Sequence, residues 1–283
     1  WPKDRSAVIG SSLGGWYATV SAERHGWPAV LLNPAVEPAR DLARYIGEQT
    51  AWHDPQDRFF FPAEFIDELR ALQPPAPLSR PSRYHAVIAT GDFLSHRDAV
   101  PAALGALGPL LELPGAFVLG SNDYFAPKPK NPLKYLMPDH GKRIHGEDLP
   151  WPELDNGLQK RGWINLNRSR ASIKINDTVI EARGTDDAHL EFDDYSLVAG
   201  EAGKCHIAIG VTHAPYLRLL EGMKKDNLDA IFAGHTHGGQ VRLPWPGGSK
   251  ALTTNCDLPN WRARGLTVVK GEPLLHVSAG MGT

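Results

Sequence analysis

Cysteine is scarce: Cys205 and Cys256 are the only two in 283 residues. So few thiols argue against a disulfide framework and for a reducing compartment, read here as the cytoplasm. No apolar run approaches the roughly 20 residues that span a bilayer, and no opening segment reads as a signal peptide. The first residue is Trp1 rather than Met, as in an internal fragment. An excess of charge is also missing. The formal net charge is −2, so nothing points to a nucleic-acid or membrane surface. The densest basic run, residues 128–142, is interleaved with proline and reads as a solvated loop. There is no internal repeat and no low-complexity tract. What remains is an ordinary globular composition, 42% hydrophobic and 22% charged. The chain is long enough for one large α/β domain or two modest ones.

Strands and helices alternate through the front of the chain. Ala7-Val8-Ile9 reads as a short buried strand, Trp16 to His25 as a helix, and Ala29 to Leu32 as a second strand closed by Asn33-Pro34. Asp41 to Gln49 and Pro62 to Leu72 read as helices, followed by a proline-rich connector and a strand over residues 84–90. A helix over Ala99 to Leu111 and a strand over Ala116 to Gly120 continue the pattern. That alternation predicts a mostly parallel sheet. A long polar excursion, about residues 124–155, follows. Past residue 163 the texture changes: alternation around Asn176-Asp177 predicts an antiparallel hairpin. Later strands in "CHIAIGVTHAP", "LDAIFAGHTHGGQ" and "LLHVSAG" each run into a polar loop.

Gly10-Ser11-Ser12-Leu13-Gly14 fits G-x-S-x-G between a strand and a helix. That spacing puts a serine on a strained turn, with glycines where the backbone must pass closely, and aims its hydroxyl at a helix N-terminus. The same residues also suit a glycine-rich turn with no chemistry. The segment from "AVIGSSLGGWYATVSAERHGWPAVLLNPAVEPARDLARYIGEQT" to "RYHAVIATGD", about residues 1–92, closely resembles the YqiA-like serine esterases of the α/β-hydrolase superfamily. The resemblance implies Ser12 as nucleophile and Asp92 as the acid of a triad. The triad histidine would follow one strand later, where this chain has Gly120-Ser121-Asn122.

From Asp92 onward the strand ends carry a different set: Gly91-Asp92, Gly120-Ser121-Asn122-Asp123, Thr212-His213-Ala214-Pro215 and Gly234-His235-Thr236-His237. A carboxylate can bridge two cations, and an amide oxygen with neutral imidazoles suits Mn, Fe, Zn and similar ions. "GSNDYFAPKPKNP", "GVTHAPYLRLL", "AGHTHGGQVRLP" and "TNCDLP" together resemble the calcineurin-like metallophosphoesterases over about residues 90–283. The resemblance implies an α/β/β/α sandwich with one or two divalent ions (Mn, Fe, Zn or Mg). It implies Asp92 as bridging ligand, Asn122, His213 and His235 on the second ion, and His237 on the first. Asp123 stands where most relatives carry the histidine that serves as leaving-group acid. The first motif of that family, Asp-x-His, is missing: the strand before Asp92 ends in Asn33-Pro34, and His53-Asp54 has the wrong order.

The expected fold class is therefore α/β: parallel and mixed sheets with flanking helices, an α/β/β/α sandwich whose N-terminal portion derives from an α/β-hydrolase. Residues 1–89 form the esterase-like part and residues 90–283 the phosphoesterase-like part. The esterase strands are expected to stand in for the missing phosphoesterase strand. Three functions follow: a phosphoesterase weakened by the lost motif and acting on a small phosphomonoester or diester, a carboxylesterase through Ser12, or a catalytically inactive hybrid. The segment 184–189, Gly-Thr-Asp-Asp-Ala-His, reads either as a cleft-lining loop or as a solvated turn. Nothing in the sequence specifies an oligomeric state.

Overall fold

The computed structural model describes residues 8–27, 29–35, 37–50, 58–75, 84–128, 145–175, 178–239, 241–245 and 248–280. The front of the chain builds a parallel sheet. Strands β1 (Val8–Ser12), β2 (Ala29–Pro34), β5 (Tyr84–Ala89), β6 (Gly115–Phe117) and β7 (Ile164–Asn165) lie in that spatial order, each parallel to its neighbour. Helices α1 (Leu13–His25), α4 (Val100–Leu107) and α6 (Trp151–Gln159) cover one face. The sheet crosses the boundary read from the sequence, because β5 pairs with β6 directly.

Between β2 and β5 lie α2 (Pro38–Leu42), a hairpin of β3 (Gly47–Thr50) and β4 (Arg58–Phe61), and α3 (Ala63–Ala71). The helix expected over Asp41 to Gln49 is thus a correction. The α-helix ends at Leu42, and Gly47 (φ 114) turns the chain into a strand paired with Phe61. Glycine supplies that positive φ without strain. His53-Asp54 and most of the basic run at 128–142 lie outside the described residues.

A second sheet follows. Its order is β14 (Gly265–Thr267), β15 (Leu274–Val277), β11 (Ala230–Ala233), β10 (Ile207–Val211), β9 (Thr178–Gly184) and β8 (Ser169–Ile175). Its four inner strands are parallel and both edges are antiparallel. The β8–β9 pair is the expected hairpin; its Asn176-Asp177 tip lies outside the described residues. Helix α7 (Leu217–Lys225) packs on the outer face. A small hairpin of β12 (Val241–Trp245) and β13 (Gly248–Thr253) stands apart from both sheets.

The period-2 geometry of a strand explains how the layers join. In β5, Ile88 faces the second sheet while Val87 and Ala89 face the helices. Ile88, Ala116 and Val118 pack there against Ala182, Ile209 and Val211. The order is therefore helix, sheet, sheet, helix, the α/β/β/α sandwich expected. Cys205 and Cys256 are both free thiols. Among the described residues no helix is long and apolar enough to cross a membrane.

Candidate metal centre

Parallel strands end together, so the loops after β5, β6, β10 and β11 can meet at one edge of the sandwich. They do meet. A cleft of about 510 Å³ is lined by Asp92, Asn122, His213, His235 and His237, the five ligands expected from the sequence. Val87, Phe93, Leu94, Ala103 and Leu107 give it an apolar wall. Asp41, from the esterase-like part, also lines it, with one carboxylate oxygen taken by Arg40 at 3.1 Å.

Asp92 has φ 62, His235 66 and His237 51. Non-glycine residues in the left-handed region are uncommon and concentrate at functional sites. Here the loop of Asp92 is held by a neighbour. Asp123 is fully buried, and its two oxygens accept four main-chain N–H bonds: from Asp92 (2.8 Å), Phe93 (2.6 Å), Leu94 (3.0 Å) and Gly120 (2.8 Å). Burial and the Asp92 charge push its carboxyl up, against those N–H donors. Asp123, at the position of the family's leaving-group histidine, is thus occupied with main-chain groups and is not among the residues lining the cleft.

The Asp92 carboxylate accepts the Asn122 N–H on Oδ1 at 2.9 Å and the Asn122 amide on Oδ2 at 3.0 Å. His213 Nδ1 lies 2.6 Å from the Thr90 carbonyl, so that nitrogen carries the hydrogen and Nε2 is turned inward. His213 Nε2 stands 3.5 Å from Asp92 Oδ1 and 3.2 Å from His235 Nδ1. His235 Nε2 in turn lies 3.4 Å from the Asn255 carbonyl. Burial works against charge on His213, but Asp92 and Asp187 outweigh it and raise its pKa. Burial, then His189 and His213, hold His235 well below the usual histidine value. Burial also lowers His237, with Asp92 opposing.

The loop after β9 completes the surroundings. Asp186, Asp187 and His189 are 8%, 0% and 5% exposed, which overturns the solvated-turn alternative for residues 184–189. The His189 ring lies 4.5 Å from the His235 ring, and its Nδ1 is 3.2 Å from the Tyr216 hydroxyl. Asp187 Oδ2 lies 3.9 Å from His213 Nε2. The sequence pointed to this loop but not to Asp187 itself, since a pair of aspartates in a polar segment reads as solvated.

Ser12 ends β1, and α1 begins at Leu13, so the strand-to-helix turn expected of G-x-S-x-G is present. A side chain on Gly10 would collide with the Gly14 backbone, which accounts for the glycine there. The strand beside β5 ends in Asn33-Pro34 rather than Asp-x-His.

Among the described residues no three His, Cys, Asp or Glu side chains are placed as a ready-made metal group. The pairwise spacings explain how far the set goes. Donors about 2.1 Å from one ion, at tetrahedral or octahedral angles, stand roughly 3.0–3.4 Å apart. The His213–His235 contact has that spacing and the His213–Asp92 contact nearly so, while the other donor expected on the same ion, Asn122, is an amide.

Known proteins divide in the same way. Residues 2–101 match an uncharacterised protein family, UPF0227, and residues 52–239 match the calcineurin-like phosphoesterases; the two overlap across the join read from the sequence. The uncharacterized protein YpbG of Bacillus subtilis (strain 168) is 26% identical over 174 residues, 58% of each chain. The uncharacterized metallophosphoesterase YkoQ of the same organism is 27% identical over 166 residues, 56% of this chain and 51% of that one. The chain thus spans between about half and three fifths of the length of these relatives. With more than half of its residues in the match and the strand-end donors gathered at one cleft, the chain belongs to the calcineurin-like phosphoesterase family.

Proposed function

We propose that the chain is a metal-dependent phosphoesterase that uses one divalent ion to hydrolyse a small phosphomonoester or diester. One observation carries the reading. Two inward ring nitrogens, His213 Nε2 and His235 Nδ1, face each other at 3.2 Å beside the Asp92 carboxylate, while the outer nitrogen of each ring lies against a main-chain carbonyl. A contact between two ring nitrogens needs a proton or a cation between them. Fixing the outer nitrogen on a carbonyl is how proteins turn a histidine toward a metal.

The donor chemistry fits one ion and not two. Asp92, Asn122, His213 and His235 would hold it. The other ion of the family's pair is left with Asp92 and His237, since β2 brings no Asp-x-His to the cleft. A bound divalent ion supplies Lewis acidity toward phosphate oxygens and water. The chain's own groups do the rest. Asn122 fixes the Asp92 carboxylate through both of its oxygens. Asp123 acts as a positioning group, holding the turn that presents Asp92, rather than as the leaving-group acid. His237, neutral and in the cleft wall, can hydrogen-bond a phosphate oxygen. The apolar wall around Phe93 and Leu107 keeps water from competing with those contacts.

The carboxylesterase alternative is less favoured, because the Asp92 carboxylate it would need is committed to Asn122 and His213. The test is hydrolysis of bis-p-nitrophenyl phosphate by the purified chain, stripped with EDTA and reloaded with Mn²⁺. Activity should return with Mn²⁺ and fall on the order of a hundredfold in His235→Ala. A rate indifferent to Mn²⁺ and to His235→Ala would overturn the reading. No hydrolysis at all would favour the inactive hybrid, and labelling of Ser12 by a fluorophosphonate would favour the esterase.

A further inference from the structure

Asp187 is buried completely, yet its carboxylate is only half used. Oδ1 accepts the Leu190 N–H at 2.6 Å. Oδ2 makes no hydrogen bond; among the described residues it is the only oxygen in a set otherwise made of ring and guanidinium nitrogens (Trp16, Trp27 and Arg262). A buried carboxylate oxygen left without a donor is costly and calls for a partner. This one is aimed at His213 Nε2, the nitrogen that already faces His235 Nδ1 and Asp92 Oδ1, and stands 3.9 Å from it. That is too long for a hydrogen bond. It lies within the span of two ligands of a single ion, which at bond lengths near 2.1 Å can be up to about 4.2 Å apart.

The charges point the same way. Asp92 brings one negative charge, while Asn122, His213 and His235 bring none when neutral. Asp187 reaches the centre from the other sheet, through the loop after β9. We propose that Asp187 is a ligand of the ion through Oδ2, adding a second negative charge to that of Asp92. This rests on the one-ion reading above, and the experiment separates the two.

The EDTA-treated full chain is titrated with Mn²⁺, reading bound ion by electron paramagnetic resonance and thermal midpoint with and without Mn²⁺. The variant is Asp187→Asn, which keeps an oxygen for the Leu190 N–H and removes the charge. Without ion its midpoint should equal or exceed that of wild type, because a buried unpaired charge has gone. With ion, affinity should fall at least about tenfold and the Mn²⁺-induced rise in midpoint should shrink. Unchanged affinity overturns the inference, whether or not the ion-free midpoint falls. If wild type binds no Mn²⁺, the one-ion reading fails and the inference with it. Should the amide variant not fold, Asp187→Ser, whose hydroxyl can accept the same N–H, is read by the same criteria.

Discussion

Asp123 shows how much a single side chain can decide without touching a substrate. Its four N–H bonds tie together the two loops that carry Asp92 and Asn122. Asparagine would offer an N–H₂ where two of those N–H groups need an acceptor. At about 1–3 kcal/mol for each buried donor left unpaired, Asp123→Asn should destabilise the chain by roughly 2–6 kcal/mol. Urea unfolding measures this directly. A leaving-group acid would behave otherwise, losing kcat with the midpoint unchanged. From sequence alone, Asp123 could be placed next to Asn122 but not assigned this work, because its partners lie about thirty residues away across a strand. Asp187 was illegible for a related reason. Its burial comes from the packing of two sheets, and nothing in Gly-Thr-Asp-Asp-Ala-His distinguishes it from a surface turn.

At the scale of elements, the strand ends were the legible part. Gly-Asp, Gly-Ser-Asn-Asp, Thr-His and Gly-His-Thr-His are local signals, and parallel pairing brings them to one edge. The elements before β5 were harder to read, since the chain over residues 41–49 has helical composition and its strand forms only by pairing with Phe61 and its neighbours. A tight element contact at the centre is Gly120, the N-cap of the short helix α5 (Ser121–Tyr124). A Cβ there would collide with Asp92 Oδ1 and the His213 ring. Gly120→Ala should therefore abolish Mn²⁺ binding while far-UV circular dichroism stays close to wild type. Binding retained at wild-type affinity would mean that the two loops are less closely joined than this contact requires.

For the molecule as a whole, stability has a charged anchor outside the cleft lining. The Arg183 guanidinium is fully buried and binds Glu181, Asp226 and the carbonyls of Val198 and Gly200. This fastens β9 to the end of α7 and to the loop between them. Burial opposes the Glu181 charge, but the Gly203 N–H and the Arg183 and Arg170 guanidiniums outweigh it and hold its carboxyl below the usual range. A depressed carboxylate contributes stability above its unfolded pKa and loses it as pH falls through the folded one. Glu181→Gln should cost roughly 3 kcal/mol at neutral pH, toward the low end for a broken buried pair because Asp226 remains. The gap from wild type should close as the pH drops below the ordinary carboxylate range, as thermal midpoints across an acid series would record.

The parallel pairing of β5 with β6 has a wider consequence. The segments before and after residue 90 share one hydrophobic layer, with Ala22, Leu31 and Val87 on one side of the seam and Phe117 and Leu154 on the other. Neither can be shed without stripping the flank of the strand that delivers Asp92. Joined in this way, the two segments share one core and should unfold in a single cooperative transition.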